Sequence, residues 1–198
     1  MNSMKRLQNE YTINPTILQH PNIPKPLHGV NPRTIFGKEW WDITRREAYA
    51  SNNYHCFACG VHKSQAKKYK RLEAHEFWDI DDITGICEVK EIVPLCHYCH
   101  MFIHSGKLQM DLSKGERSID ECQEILEHGF KILSDNKLKA FPSTWLFSNK
   151  ISANTYGVKY YTIKDDLAWE DYVMLYKGKY YGSKFKSYKE WEEYYKTK

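Results

Sequence analysis

Apolar residues recur at two different spacings along the chain, and these spacings predict its central elements. Between Lys38 and Ala50 they lie three and four residues apart, which predicts an amphipathic helix. Residues 71–78 and 86–95 favour strands and enclose a turn marked by Asp81, Asp82, Thr84 and Gly85. A short helix is expected over 97–104. The centre of the chain is therefore predicted to be a β-hairpin followed by a helix.

Helix-capping signals and a second alternating segment follow. The pattern Ser-x-x-Glu from Ser118, ahead of several apolar positions, predicts a helix over 118–134. The same pattern from Ser187 predicts a final helix ending near Tyr195. Between them, Trp169–Lys186 alternates around a Lys-Gly-Lys turn and predicts a hairpin. Pro142 with the two residues after it predicts a boundary ahead of this part.

The N-terminal residues have a different composition. Residues 1–36 contain five of the seven prolines and show neither period, so we expect an extended arm crossing the surface. The chain is then divided into this arm, a central module over 37–107 and a C-terminal helical and hairpin extension over 108–198. The predicted fold class is α+β.

Composition and charge narrow the possible functions only slightly. With 41% hydrophobic and 27% charged residues in a chain of 198, a folded protein is expected. The net charge of +4 and pI near 8.6 permit a phosphate-rich partner without requiring one. There is no apolar run long enough to cross a bilayer and no apolar signal core near Met1, so we expect a cytoplasmic protein without membrane contact.

Four of the six cysteines form two Cys-x-x-Cys pairs, Cys56/Cys59 and Cys96/Cys99. Thiolates at this spacing can turn onto one ion, and two such pairs supply the four ligands of a structural Zn²⁺. Because the pairs lie at the two ends of the predicted hairpin, zinc would close it. The remaining cysteines, Cys87 and Cys122, are expected to be buried apolar residues.

Three histidines complete a second candidate metal site. His100 and His104 are four residues apart, hence on one face of the predicted helix, and His75 lies on the first predicted strand. Imidazoles brought together in this way suit transition metals. The alternative, three unrelated histidines, is weakened by the adjacent four-cysteine pattern.

The order Cys-x2-Cys, a strand with His75, then Leu-Cys-x2-Cys-His-x3-His resembles the HNH endonucleases. The resemblance covers about residues 35 to 107 and extends to a branch of small bacterial and phage proteins in which His-Glu-x-Trp, here from His75, is the strand motif. It implies a zinc-stabilised ββα-metal core and a metal-dependent endonuclease acting on DNA. It also implies a catalytic divalent ion such as Mg²⁺, Mn²⁺, Ni²⁺ or Zn²⁺ on His75, His100 and His104.

Two positions depart from the family pattern. Glu76 stands where the general-base histidine belongs, and Glu91 stands where an asparagine belongs. An ordinary Glu is a weaker proton acceptor than imidazole, so Glu76 could orient water or join the metal shell instead. Glu91 either points at the site or faces solvent. His97 is a further candidate for the missing base.

One acidic residue lies on the same predicted face as His75. Glu73 could hold a site imidazole in its tautomer or pair with the lysines of the preceding loop, and the second interpretation is preferred.

A non-cleaving alternative remains open. The same scaffold could bind nucleic acid or a protein without cutting, and the two glutamates favour that alternative. The basic residues between Lys63 and Arg71 are either a phosphate-contacting ridge or a solvated turn. The Tyr- and Lys-rich residues after 150 could stack on bases, form a core face or contact a protein partner.

Overall fold

The computed structural model describes residues 11–20, 23–81, 83–139 and 167–197. In these ranges the chain forms one four-stranded sheet and five α-helices, so the predicted α+β class is confirmed. The predicted boundary at Pro142 and the turn residue Asp82 lie outside the described residues.

Over the residues that the structure describes, 11–20 and 23–36, the N-terminal segment is not the extended arm that its prolines predicted. Pro15–Gln19 and Lys25–Leu27 form short 3₁₀ helices, and the side chain of Asn14 caps the first of them. Ile17 and Leu18 are buried in the core rather than lying on the surface. The fixed φ of proline suits the first turn of a helix, so prolines here start turns instead of keeping the chain extended.

Helix α1 spans Pro32–Ser51 and contains a break at Gly37, whose φ of +84° is not helical. The part after Gly37 is the helix that the apolar spacing predicted. The part before it is an additional turn, capped by the Asn31 side chain, which accepts a hydrogen bond from the backbone N–H of Thr34 at 2.9 Å. Trp41 is among the buried residues of this helix.

The predicted central hairpin is present. Strands β1 (Leu72–Ile80) and β2 (Ile86–Cys96) are antiparallel, and their register shifts between Phe77 and Trp78, where Lys90 is the extra residue of a β-bulge. A bulge adds a residue to one strand and so changes the faces that later side chains occupy.

The C-terminal extension pairs with this hairpin next to its turn. Strand β3 (Val173–Tyr176) pairs in parallel with β2, so the extension continues the same sheet. Gly85 lies at the junction, with φ of +75°, and a side chain there would come within 2.7 Å of the Asp171 carbonyl oxygen. Glycine is therefore required at this position both by the backbone and by the lack of space.

The second hairpin and the final helix also match the prediction. Strand β4 (Lys179–Gly182) is antiparallel to β3, and the two turn residues, Lys177 and Gly178, both have positive φ as a type I′ turn requires. Helix α5 spans Tyr188–Lys196, and the Ser187 side chain accepts a hydrogen bond from the N–H of Glu190.

Three helices follow β2 directly. Helix α2 spans His97–Ile103, α3 spans Ser105–Ser113 and α4 spans Ile119–Asp135. The sequence analysis did not predict α3. Helix α4 packs tightly on α2, since a side chain added at Gly129 would lie only 2.1 Å from the ring of Phe102.

Two buried apolar clusters stabilise this arrangement. One joins β1 and β2 to the 3₁₀ helix at Pro15–Gln19, α2 and α4, and the other joins the bulged end of the hairpin to β3 and to the residues around Leu27. Cys122 and Cys87 are buried, one in each cluster, as expected. None of the helices in the described ranges has the length and apolar character needed to span a bilayer.

Candidate metal centres

The two Cys-x-x-Cys pairs meet at one point. The sulfur atoms of Cys56, Cys59, Cys96 and Cys99 all lie within 4.8 Å of one another. Cys59 Sγ and Cys96 Sγ are 3.8 Å apart, and a tetrahedron with metal–sulfur bonds of about 2.3 Å has edges of about 3.8 Å. None of the four is in a disulfide. They could therefore hold a metal ion such as zinc.

Backbone hydrogen bonds shape the first pair into a turn and attach it to the hairpin. The N–H of Cys56 donates to the Val61 carbonyl at 2.9 Å, and the N–H of Gly60 donates to the Cys56 carbonyl at 2.8 Å. The N–H of Phe57 then donates to the carbonyl of Pro94, near the end of β2, at 2.7 Å. The second pair begins two residues later, so the hairpin end itself brings the pairs together.

The electrostatics of the four thiols also favour a cation. Burial opposes ionisation of Cys56, but hydrogen bonds with the other three thiols outweigh it and hold the pKa of Cys56 well below its ordinary value. Burial raises the pKa of Cys99. The thiols cannot all ionise together without a positive charge between them, which a divalent ion supplies.

His128 is a neighbour of this cluster that the sequence analysis missed. Its Nε2 lies 3.4 Å from Cys99 Sγ, and an N–H at that nitrogen can donate to the thiolate and spread its negative charge. Its position on α4, far along the chain, gave no signal in the sequence.

The structure also brings together His75, His100 and His104. One nitrogen of each lies within 4.8 Å of the others, and the ring centroids are 4.6 to 5.4 Å apart. Both ring nitrogens of His75 are buried and have no hydrogen-bond partner. A buried nitrogen without a partner costs about 1–3 kcal/mol, and a coordinated ion would remove that cost at one of them. The donor set fits a transition metal.

Two of the three histidines, His75 and His104, are held neutral, which is the form that can bind a metal ion. Burial lowers the pKa of His75 well below its ordinary value, and the neighbouring imidazoles lower it further. Burial also lowers the pKa of His104, to about 4. Although His104 is exposed as a residue, its ring lies against His75 and His100. Both rings are therefore neutral near neutral pH, which leaves a lone pair for an ion.

Glu73 links the histidine cluster to His97, which lies outside it. Its Oε2 lies 2.5 Å from His100 Nδ1, and its Oε1 lies 3.0 Å from His97 Nδ1. The preferred interpretation from the sequence, pairing with loop lysines, was wrong. Burial opposes ionisation of Glu73, but the hydrogen bonds from His100 and His97 outweigh it and hold its pKa well below its usual range. A proton at His100 Nδ1 leaves Nε2 free for a metal.

His97 is fully engaged by its neighbours. Besides the Glu73 contact, its Nε2 lies 3.4 Å from Nη1 of Arg117, whose guanidinium is buried and also pairs with Asp111 and Glu121. Neither ring nitrogen of His97 is left to take a proton from water at the cluster. The suggestion that it replaces the missing base therefore finds no support in the geometry.

Glu76 and Glu91, the two glutamates at positions that differ from the family pattern, do not lie with the three histidines. Glu76 follows His75 on β1, so its side chain leaves the strand on the other face, across from Ile92. Burial raises the pKa of Glu76. Glu91 is exposed beside the bulge and lines a groove with Thr44 and Glu47 of α1. In the described ranges, neither carboxylate belongs to the cluster of possible ligands.

The basic segment before β1 divides into two parts. Lys68 forms an ion pair with Glu121 on α4. The guanidinium of Arg71 instead lies over the ring of Tyr69, 4.5 Å from its centroid, and that ring meets His97 edge-on at 4.8 Å. An exposed cation and an accessible aromatic ring therefore lie next to His97, the second imidazole that Glu73 contacts.

His20 is the second residue that the sequence analysis missed. Its ring centroid lies 6.0 Å from that of His75 and 5.0 Å from that of Phe77, on which it stacks. Its Nε2 is buried and has no hydrogen-bond partner. Burial lowers its pKa to about 4, against a smaller opposing effect of the Trp78 backbone. A histidine in a proline-rich segment carries no signal of such a contact.

Comparisons of this sequence and structure with known proteins identify no relative. The sequence matches no model of a protein family, and searches of curated proteins and of solved structures likewise find no match.

Proposed function

We propose that residues 37–107 form an HNH-type ββα-metal module and that the protein is a metal-dependent endonuclease that hydrolyses DNA. The observation that carries the proposal is the convergence of His75, His100 and His104, with both nitrogens of His75 buried and without partners. The order of elements is also the order of that module, an antiparallel hairpin followed by a helix, with four cysteines where the hairpin ends.

Each group has a distinct task in this proposal. Zn²⁺ on the four cysteines would fix the hairpin against α2, because its binding free energy is available only to the folded chain. A second divalent ion, such as Mg²⁺, Mn²⁺, Ni²⁺ or Zn²⁺, held by the three histidines would neutralise charge on the scissile phosphate. Glu73 would keep His100 in the tautomer that presents Nε2.

The neighbouring surface supports a nucleic-acid substrate. Arg71 is available to contact phosphate oxygens, which position a nucleic acid without selecting its sequence. Tyr69 is 36% exposed and can stack on a base. Tyr69 contacts His97, which shares the Glu73 carboxylate with His100, so a strand held by Arg71 and Tyr69 would lie on the side of the cluster where Glu73 and His97 are.

Plasmid nicking with each of the four ions tests the proposal. The native protein should cut in at least one of them, and His100→Ala should lower the rate by about 100-fold or more, because it loses a ligand of the ion. His62→Ala is a matched control, since this imidazole contacts Ser64 and lies outside the cluster. Equal rates for the native protein and His100→Ala would eliminate the enzyme proposal.

A second candidate function is DNA binding without cleavage. It is favoured by the placement of Glu76 and Glu91, neither of which supplies a proton acceptor at the histidine cluster. Under this alternative the protein retards DNA in a gel at low salt but cuts it with none of the four ions. Arg71→Ala should then weaken retardation and reduce its salt dependence, as expected for one lost phosphate contact.

A further inference from the structure

Arg117 lies outside the proposed module, yet its side chain reaches a residue that adjoins the histidine cluster. It stands in the turn between α3 and α4, directly before Ser118, the capping residue of α4. Gly115, with φ of +70°, and a hydrogen bond from the Glu116 N–H to the Asp111 carbonyl at 2.8 Å shape this turn. The Arg117 side chain is only 8% exposed. A residue of the C-terminal extension is therefore fixed in the interior beside the module.

The hydrogen bonds from Arg117 towards the cluster can run in only one direction. A guanidinium donates and cannot accept, so at its 3.4 Å contact with Arg117 Nη1 the Nε2 of His97 is the acceptor. The ring proton of His97 is then on Nδ1, which donates to Glu73 Oε1 at 3.0 Å. The other oxygen of Glu73 accepts from His100 Nδ1. The Nε2 of His100 therefore keeps a lone pair for an ion.

Removing the Arg117 donor would leave the direction of these hydrogen bonds open. A neutral imidazole can carry its proton on either nitrogen. With the proton of His97 on Nε2, its Nδ1 would be an acceptor facing a carboxylate, which also only accepts. Glu73 would then be held by His100 alone and would fix that ring less firmly. Ion binding is thus expected to weaken at a site that Arg117 itself does not touch.

The ion pairs of Arg117 do not explain its position equally well. Each of the two carboxylates that pair with it also pairs with a lysine, Asp111 with Lys107 at 2.9 Å and Glu121 with Lys68. Both therefore keep a cation when the arginine is removed. The Nε of Arg117 is buried without a hydrogen-bond partner, and burial of a cation costs free energy. Among the residues that the structure describes, only Arg117 is hydrogen-bonded to His97 Nε2.

We propose that Arg117 is a positioning residue of the histidine site. Its donation to His97 fixes the carboxylate of Glu73 and, through it, the ring of His100. The inference rests on the proposed function, because it requires an ion at the three histidines. Residues after 107 would then take part in ion binding, although the resemblance to the nuclease family ends near that residue.

The test compares Arg117→Met and Arg117→Lys in the full chain with zinc at the four cysteines. Methionine has a side chain of similar shape without a donor, whereas lysine keeps a donor and the positive charge. Asp111→Asn is the matched control, because it weakens an ion pair of Arg117 and leaves the contact with His97 in place. For each protein we would measure Co²⁺ affinity by d–d absorption, zinc content, and the ¹⁵N chemical shifts of the His97 ring.

We expect Arg117→Met to bind Co²⁺ about 10-fold more weakly while it retains zinc. The ¹⁵N shifts should show His97 protonated at Nδ1 and not at Nε2 in the native protein, and a mixture of both forms in Arg117→Met. Arg117→Lys should recover most of the affinity, and Asp111→Asn should stay within about twofold of the native value. A purely structural role would lower stability without changing the His97 ring.

Several results would overturn the inference. A proton on Nε2 of His97 in the native protein would do so without any variant, even if Arg117→Met did not fold. Native Co²⁺ affinity in Arg117→Met would do so as well, although the ion site would stand. An equal loss in Asp111→Asn would assign the effect to the ion pairs.

Failure of the proposed function is distinguishable from these results. If the native protein binds no Co²⁺ at the three histidines, the ion site fails and the role of Arg117 fails with it. If the native protein binds Co²⁺ but cuts DNA with none of the four ions, only the nuclease proposal is overturned.

Discussion

Replacing Glu73 by Gln tests whether its hydrogen bonds with His100 and His97 hold the histidine cluster together. The carboxylate has two oxygens, and each accepts a hydrogen bond from a different imidazole, that of His100 or that of His97. A glutamine of nearly the same shape has one acceptor oxygen and one amide group that only donates. In Glu73→Gln, one of the two imidazole N–H groups therefore loses its acceptor, and the negative charge is lost as well.

The size of the effect follows from the burial and the charge of this contact. The Glu73 side chain is 21% exposed, so solvent screens its interactions only weakly. A hydrogen bond to a charged group contributes about 1.5–3 kcal/mol, and loss of such an outer partner lowers metal affinity by about 10- to 100-fold. We expect Glu73→Gln to weaken ion binding at the three histidines by that factor, which corresponds to about 1.4–2.7 kcal/mol.

The assay is a Co²⁺ titration of protein whose four-cysteine site already holds zinc. Binding at histidines gives weak d–d absorption, whereas displacement of zinc from thiolates would give intense charge-transfer bands, so the two sites are distinguished in one spectrum. Glu124→Gln is the matched control. This carboxylate also bonds a residue of α2, accepting from the Tyr98 hydroxyl at 2.6 Å, but it touches no histidine of the cluster.

The reasoning would be refuted if Glu73→Gln bound Co²⁺ as tightly as the native protein. It would also be refuted if Glu124→Gln lost as much affinity as Glu73→Gln, since the effect would then reflect a general weakening of α2. If Glu73→Gln also unfolds at a lower temperature, the titration can still be interpreted, because zinc retained at the four cysteines shows that the variant is folded during the measurement.

Three further predictions concern zinc, packing and pH. Cys59→Ser should lose one equivalent of bound zinc and unfold at a much lower temperature, measured by zinc content and circular dichroism; unchanged zinc content would remove the four-thiolate site. Gly129→Ala should destabilise the protein by about 1–3 kcal/mol through its clash with Phe102. Gly106→Ala has nothing within 4 Å of the added carbon and should stabilise its helix by about 0.5–1 kcal/mol. Denaturant unfolding compares the two variants, and equal effects would contradict the close packing of Gly129 on Phe102. The pKa of His20 is lowered from 6.5 to about 4, so between these pH values the unfolded chain binds a proton that the folded chain does not. Stability is therefore lost as pH falls from 6.5 to 4, by about 3 kcal/mol at most. Unfolding curves of His20→Gln, measured over this pH range, should lack the contribution of His20 to this loss.

Local signals predicted most of the elements. The two strands of the central hairpin, the helix after the second cysteine pair and α4 depend on residues close together in the chain, through apolar spacing and turn residues. Even for these elements, the contacts at the start of α4 differed from the prediction. Ser118 caps α4 as its pattern indicated, but the carboxylate of Glu121 pairs with Lys68 and Arg117 instead of closing a capping box.

Long-range pairings were not predictable in this way. The parallel contact of β3 with β2 joins segments separated by the whole of α2, α3 and α4, and the sequence of either strand has no feature that selects its partner. The unpredicted α3 follows directly from the end of α2, where nothing in the apolar spacing suggested a second helix. The bulge at Lys90 is a comparable case, because alternation alone gives no warning of an extra residue.

The sequence by itself predicted which cysteines and which histidines come together as candidate metal ligands. Cysteines two residues apart and histidines four residues apart can each reach one ion, since the local geometry of a turn or a helix fixes where they point. Only the tertiary structure decided what surrounds these ligands: Glu73 bonded to His100, His128 beside Cys99, and His20 beside His75. Such neighbours depend on how distant elements pack, and packing responds to the shape and burial of the whole chain rather than to the spacing of residues within one segment.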